Sequence, residues 1–156
     1  PWRAKSFPVV RDLVVDRGQL PEARRIFALL AEAGPESADL FNNYGLLCRD
    51  TGAYEESYEA YCRSVELNDS DPRVLNDTAL VLHYHLAGDD HELLEHAREL
   101  YEQSIDVARA ELLQNEVDAD RKAYLAEALV DASNNLTLLR AALAYSQLDP
   151  AGTPQD

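Results

Sequence analysis

The four histidines of this chain, His83, His85, His91 and His96, fall close together and lie among Asp89, Asp90, Glu92 and Glu95. Imidazoles beside carboxylates are the donor set of zinc sites and of general acid–base catalysis. The spacing works against both. His83 and His85 are two positions apart and diverge on a helix, and His91 and His96 are five apart, whereas a chelate on one helix face needs three or four. They read as surface histidines on a protruding hairpin, with a metal-binding or catalytic protein centred on residues 83–96 as the competing reading. No P-loop, GxSxG, HExxH or Cys-His motif occurs, and the many carboxylates fall on solvated helix faces. No catalytic residue, metal ligand or cofactor is therefore expected, and the chain does not read as an enzyme.

The elements that carry these residues are amphipathic helices. In residues 38–71, Phe41, Tyr44, Gly45 and Cys48 share one face of a 3.6-residue period, Thr51 and Gly52 stop the helix, and Tyr54, Ser57, Tyr58, Tyr61, Val65 and Leu67 begin a second stripe. Gly45 and Ser57 are small where the two helices must cross, with Phe41, Tyr54 and Tyr61 supplying bulk around them. Residues 4–37 read as an earlier unit. Ser6 caps a helix from Phe7 to Arg17, Gly18 ends it, and Pro21 opens a helix that turns Ala23, Phe27 and Leu30 inward and stops at Gly34 and Pro35.

Residues 72–114 form a third, longer unit. Eighteen positions separate Ala79 from Ala97, against twelve between Gly45 and Ser57, so both helices gain nearly a turn and the tip at residues 86–91 is expected to protrude. Asp89 or Asp90 caps the second helix, whose stripe begins at Leu93. A turn at residues 115–120 precedes a last helix over residues 119–146, turned inward by Leu125, Ala128, Ala132, Leu136, Leu139 and Leu143. Asp120, Glu127, Asp131 and Asn134 face away, while Leu138, Ala142 and Tyr145 interrupt that polar face. Residues 149–156 read as a disordered tail.

A net charge of −15 and a pI near 4.5 argue against nucleic acid and anionic membranes as partners. They favour a basic partner, or serve only to keep the protein from self-associating. No apolar run long enough to insert into a membrane occurs. Cys48 and Cys62, with no CxxC spacing, read as unpaired thiols of a reducing compartment, hence the cytoplasm. The start at Pro1 without methionine reads as that of a processed or excised piece, and a periplasmic or other extracytoplasmic location is the alternative if a leader was removed.

Residues 38–71 resemble the tetratricopeptide repeat: Phe41 stands in its first aromatic slot, Gly45 in its glycine slot, Gly52 and Tyr54 in its turn and Tyr61 in its second aromatic slot. Tyr44, Cys48 and Ser57 depart conservatively, and Asp69 replaces the closing proline. Phe7, Gly18, Ala23, Phe27 and Pro35 fit the same slots one repeat earlier, with Arg11 in the small slot. The resemblance implies an all-α, right-handed α-solenoid of three helical hairpins, at residues 4–37, 38–71 and 72–114, closed by a long C-terminal capping helix. It further implies a protein–protein interaction scaffold whose first helices line a concave groove for an extended or helical segment. That groove is lined by Lys5, Asp12 and Asp16, by Asp39, Asn42, Asn43, Leu46, Arg49 and Asp50, and by Arg73, Asn76, Asp77, Leu80, His83 and Tyr84, with Asn135 on the last helix.

Amides at Asn42, Asn43, Asn76 and Asn135 can hold a peptide backbone, and the carboxylates of Asp12, Asp39, Asp50 and Asp77 favour a Lys/Arg-rich ligand. Arg49 and Arg73 interrupt the negative row and call for an acidic residue or a carbonyl there. The same amides can equally pair within the array. Asn43 and Arg73 fit the set with which some members clamp acidic chaperone C-termini, but Pro8, Asp12 and Asp77 do not, which disfavours that mode. The main alternative is an architectural segment of a larger multidomain protein, its groove filled by its own chain, and the apolar Leu46 and Leu80 favour it.

Overall fold

The computed structural model describes residues 18–34, 36–114 and 116–148. The helix expected over Phe7–Arg17, including Asp12, lies outside them, as do Pro35 and the tail. Among the described residues the protein is all-helical, with six α-helices: α1 (Leu20–Ala33), α2 (Ala38–Asp50), α3 (Tyr54–Leu67), α4 (Pro72–Val81), α5 (His91–Leu112) and α6 (Ala119–Leu148). No strand occurs among them. Each helix packs on the next in sequence, and α4 also touches α6, which gives an arrangement of helical hairpins. No helix among the described residues is long and apolar enough to cross a membrane.

The helix ends follow local chemistry. Ser37 caps α2 by accepting from the Leu40 N–H at 3.4 Å, and Asp71 caps α4 by accepting from the Arg73 N–H at 3.1 Å, with Pro72 in the first turn. Asp90, rather than Asp89, caps α5 through the Glu92 and Leu93 amides. Gly52, at φ +77°, makes the tight turn from α2 to α3 in a conformation that L side chains rarely adopt.

At the α2–α3 crossing, Gly45 lies against the ring of Tyr61, and the Ser57 hydroxyl donates to the Gly45 carbonyl at 2.7 Å. Tyr61 and Ser57 are completely buried. The α4–α5 crossing repeats the plan with Ala79, Ala97 and Tyr101, all fully buried. One further device recurs. Ser64 donates to the carbonyl of Ala38, the first residue of α2, at 2.8 Å, and Ser104 donates to the carbonyl of Pro72, the first residue of α4, at 2.6 Å. Each serine, in the C-terminal half of the second helix of a hairpin, pins the start of the first.

The largest core joins Leu75, Ala79 and Leu82 to Ala97, Leu100, Tyr101 and Ile105 of α5, and to Ala132, Leu136, Leu139 and Leu143 of α6. Smaller clusters form around Phe27 and Leu40, and around Tyr61, Val74 and Val81. Leu30, Leu67 and Leu93, expected inward, are instead exposed at the edges of their stripes, and Leu138 and Tyr145 are exposed on α6.

The third hairpin takes up its extra length in two ways. α5 runs to 22 residues, and α4 continues not as α-helix but as one π-helical turn, Leu82–Leu86, closed by the Ala87 N–H on the Leu82 carbonyl at 2.8 Å. The tip is correspondingly smaller than expected. Gly88 to His91 are exposed, but Ala87, whose N–H closes the π turn, is buried.

Candidate functional site

Side chains of α2 and α4, the first helices of two hairpins, and of the last helix α6 pair with one another. Arg49 near the end of α2 reaches Asp77 of α4, with Nη1 3.4 Å from Oδ1, while its Nε lies 3.4 Å from Asp50. Asn135 of α6 donates to the Asn76 side-chain oxygen of α4 at 3.0 Å. Arg73 at the start of α4 bonds Glu127 of α6, and its guanidinium lies 4.4 Å over the ring of Tyr124. Arg121 approaches the same ring, at 4.9 Å, and makes a two-pronged pair with Glu111 at 2.7 Å per contact. The Tyr124 hydroxyl in turn donates to Asp71, the α4 cap, at 2.6 Å.

The structure thus brings together Arg49, Asp50 and Asp77 as one cluster, and Asn76 and Asn135 as another. Asn43 and Asp39 form a third, local pair: the buried Asn43 amide donates to the Asp39 backbone carbonyl at 2.6 Å, one turn back on its own helix. Asn42 is half-buried. Asp12 lies outside the described residues. Asn43 and Asn76 therefore have intramolecular partners, and Arg49 and Arg73, the two arginines expected in a groove, are matched to carboxylates of the same chain. An acidic ligand group is not needed to neutralise either of them.

Burial raises the Asp77 carboxyl above the usual range, although Arg49 and Arg73 pull it back. Its side chain remains 29% exposed, so water reaches it from one side while protein surrounds it on the others. The Tyr61 phenol beside it is pushed up by burial and by the Asp77 charge.

Three participants escape sequence reasoning. Glu127 has the helix period of an outward residue, and only the angle between α4 and α6 brings it to Arg73. Tyr61 reads as packing bulk and Tyr124 carries no expectation, and nothing in their spacing marks the polar end of the ring. A weak signal existed for Glu127, which lies two turns before Asn135 and so shares its side of α6.

Three of the four histidines have separate partners. His85 stacks on Tyr54 with ring centroids 3.8 Å apart, and His83 stacks on Tyr84 at 4.2 Å with its Nδ1 3.4 Å from the Tyr101 hydroxyl. His96 lies 3.8 Å from Glu99. Among the described residues no three His, Cys, Asp or Glu side chains are grouped to hold a metal ion. Cys48 is buried and its thiol is pushed up to about 11, chiefly by burial, which makes it a poor nucleophile.

No family model matches this chain, and no curated protein does. Among solved structures, a chain of a T3SS complex from Aeromonas hydrophila is similar in fold, with a TM-score of 0.67 over 88% of this chain and 80% of that one, at 19% sequence identity. At that identity the likeness concerns the helical fold.

Proposed function

We propose that this protein is a tetratricopeptide-like scaffold, without catalytic activity, that holds a Lys/Arg-rich segment of another protein in a groove lined by α2, α4 and α6. The observation that carries the reading is the row of polar pairs between α2 and α4 (Arg49 with Asp77) and between α4 and α6 (Asn76 with Asn135, Arg73 with Glu127), in which Asp50, Asp77 and Glu127 outnumber the two guanidiniums. The recurrence of the Tyr61–Ser64 device as Tyr101–Ser104 supports the repeat resemblance. The similar fold of a chain taken from a T3SS complex supports a role in protein assembly. A cationic segment would be steered by the excess of negative charge and held at the partly exposed carboxylates.

A peptide library selected on the full chain tests this directly. Basic sequences are expected, with affinity that falls steeply as salt rises; selection of acidic sequences refutes the reading. Asn43→Ala is expected to leave folding nearly intact, while weakening any ligand that uses the amide by about 1–3 kcal/mol. One observation favours the architectural alternative. Asn43 and Asn76 are buried and bonded within the array, so an Asn43→Ala chain that unfolds, with a library that selects nothing, points to a face packed by the rest of a longer protein.

A further inference from the structure

Tyr61 is completely buried, yet its hydroxyl has no hydrogen-bond partner among the described residues. Buried polar groups are seldom left so, because the desolvation is uncompensated. The Tyr61 ring lies against Gly45, one turn before Arg49, and packs with Val74, one turn before Asp77, and the charges of Asp77, Arg49 and Asp50 act on its hydroxyl. That cluster is itself loosely closed. Arg49 stands 3.4 Å from each carboxylate, longer than the roughly 2.7–2.9 Å of a charge-assisted hydrogen bond. Two carboxylates against one guanidinium leave a net negative charge, and the three side chains are 25%, 43% and 29% exposed for Arg49, Asp50 and Asp77. The other groups that act on Asp77 are Asn76, Asp71 and Arg73, of which Arg73 is held on Glu127 and over Tyr124.

We propose that Asp77 and the Tyr61 hydroxyl form an anchor for the ammonium group of a partner's lysine side chain, which displaces Arg49 from Asp77 and leaves it on Asp50. This rests on the scaffold reading above and names its point of grip. The chemistry is complementary. An ammonium carries three donors and no acceptor. It can bond the Asp77 carboxylate and the Tyr61 oxygen together, while the tyrosine proton remains free to donate to the carboxylate. The added positive charge brings the cluster to neutrality. A second guanidinium is a poorer fit, because its flat five-donor fork must share the site with that of Arg49, whereas an ammonium is compact. The site therefore prefers lysine to arginine.

The test uses the full chain and three short probes, followed by calorimetry at low salt: an acetyl-capped lysine homopeptide, its arginine counterpart, and an uncapped norleucine peptide that offers only a terminal amine. The lysine peptide is expected to bind about tenfold more tightly than the arginine peptide. Asp77→Asn should abolish that preference, and Tyr61→Phe should reduce it without lowering the melting temperature, since it deletes an unpartnered hydroxyl. Arg49→Gln should strengthen lysine binding several-fold by removing the competing cation. Equal binding of lysine and arginine peptides, unchanged by Asp77→Asn, reduces the effect to bulk charge and overturns the anchor. Weaker binding in Arg49→Gln overturns it as well, and tightest binding of the norleucine peptide assigns the site to a chain terminus instead. A library-selected segment that binds the Asp77→Asn chain as tightly as the parent removes the anchor but leaves the scaffold reading standing.

Discussion

Replacing Gly45 by alanine probes the closest approach in the fold. A Cβ at this position would lie 2.8 to 2.9 Å from three atoms of the Tyr61 ring, inside the distance at which real Cβ atoms occur. The ring is no flexible end: it is fully buried, so relief requires α2 and α3 to separate or Tyr61 to leave its rotamer. Overpacking of this kind costs about 1–3 kcal/mol, and the ring contact places it toward the upper part of that range. Against it, alanine improves helix propensity by about 1 kcal/mol over glycine. The net expectation is a loss of about 1–2 kcal/mol, or roughly 2–8 °C in melting temperature for a chain of this size. Thermal denaturation by circular dichroism reads it. Gly45→Ala combined with Tyr61→Leu should show strong positive coupling, because the second change removes the atoms the first one meets. A Gly45→Ala protein that melts above the parent, or a double variant whose losses simply add, would refute the crossing described here.

Other outcomes follow from the same packing. Ser64→Ala and Ser104→Ala each remove the donor to a first-turn carbonyl, and each should cost about 1–3 kcal/mol in urea denaturation, with the fully buried Ser104 the larger; a neutral Ser104→Ala would mean that its 2.6 Å bond does not hold α4. Burial holds the His83 imidazole below its usual range, so the unfolded chain takes up the proton first. The stability this confers is complete above about pH 6.5 and is lost as pH falls from there through the folded value, and His83→Phe should flatten that segment of the pH–stability curve. Stoichiometric zinc should leave the melting temperature unchanged, since no three donor side chains are grouped to hold it among the described residues, and a rise of several degrees would sink that expectation.

The parts of this fold legible in the sequence are those set by local periodicity and small residues. The inward stripe of α6, from Leu125 to Leu143, is buried at all six positions expected, because one helix face on a long core leaves little freedom. Gly45 and Ser57 mark a crossing for the same reason. Leu30, Leu67 and Leu93 depart from the pattern because each stands at a stripe edge near a helix end, where a neighbour must be present to cover it. The site was less legible. That Asn42, Asn43, Asn76 and Asp77 belong to first helices, and Asn135 to the capping helix, follows from spacing, but whether an amide faces a ligand or another amide depends on interhelical rotation, which no single helix period encodes. Arg49 shows the limit most plainly. Its charge is evident, yet its distance to Asp77, a residue 28 positions on in the chain, is a property of how two helices pack.

The π-helical turn at Leu82–Leu86 has a consequence for how this chain can change length. A π turn takes in one more residue than an α turn for nearly the same advance along the axis, so an insertion can be stored sideways, as a bulge, without lengthening the rod. Leu82 itself stays in the core and Ala87 is buried on the far side, which means that the surplus is confined between two fixed points. The third hairpin can therefore tolerate the gain or loss of a single residue at positions 83–86 while Tyr101 and Ser104 keep their places. A one-residue deletion there is the change by which the segment would revert to ordinary α-helical winding, and in doing so it would swing the His85 ring off Tyr54 and open the stacked edge of the hairpin to solvent.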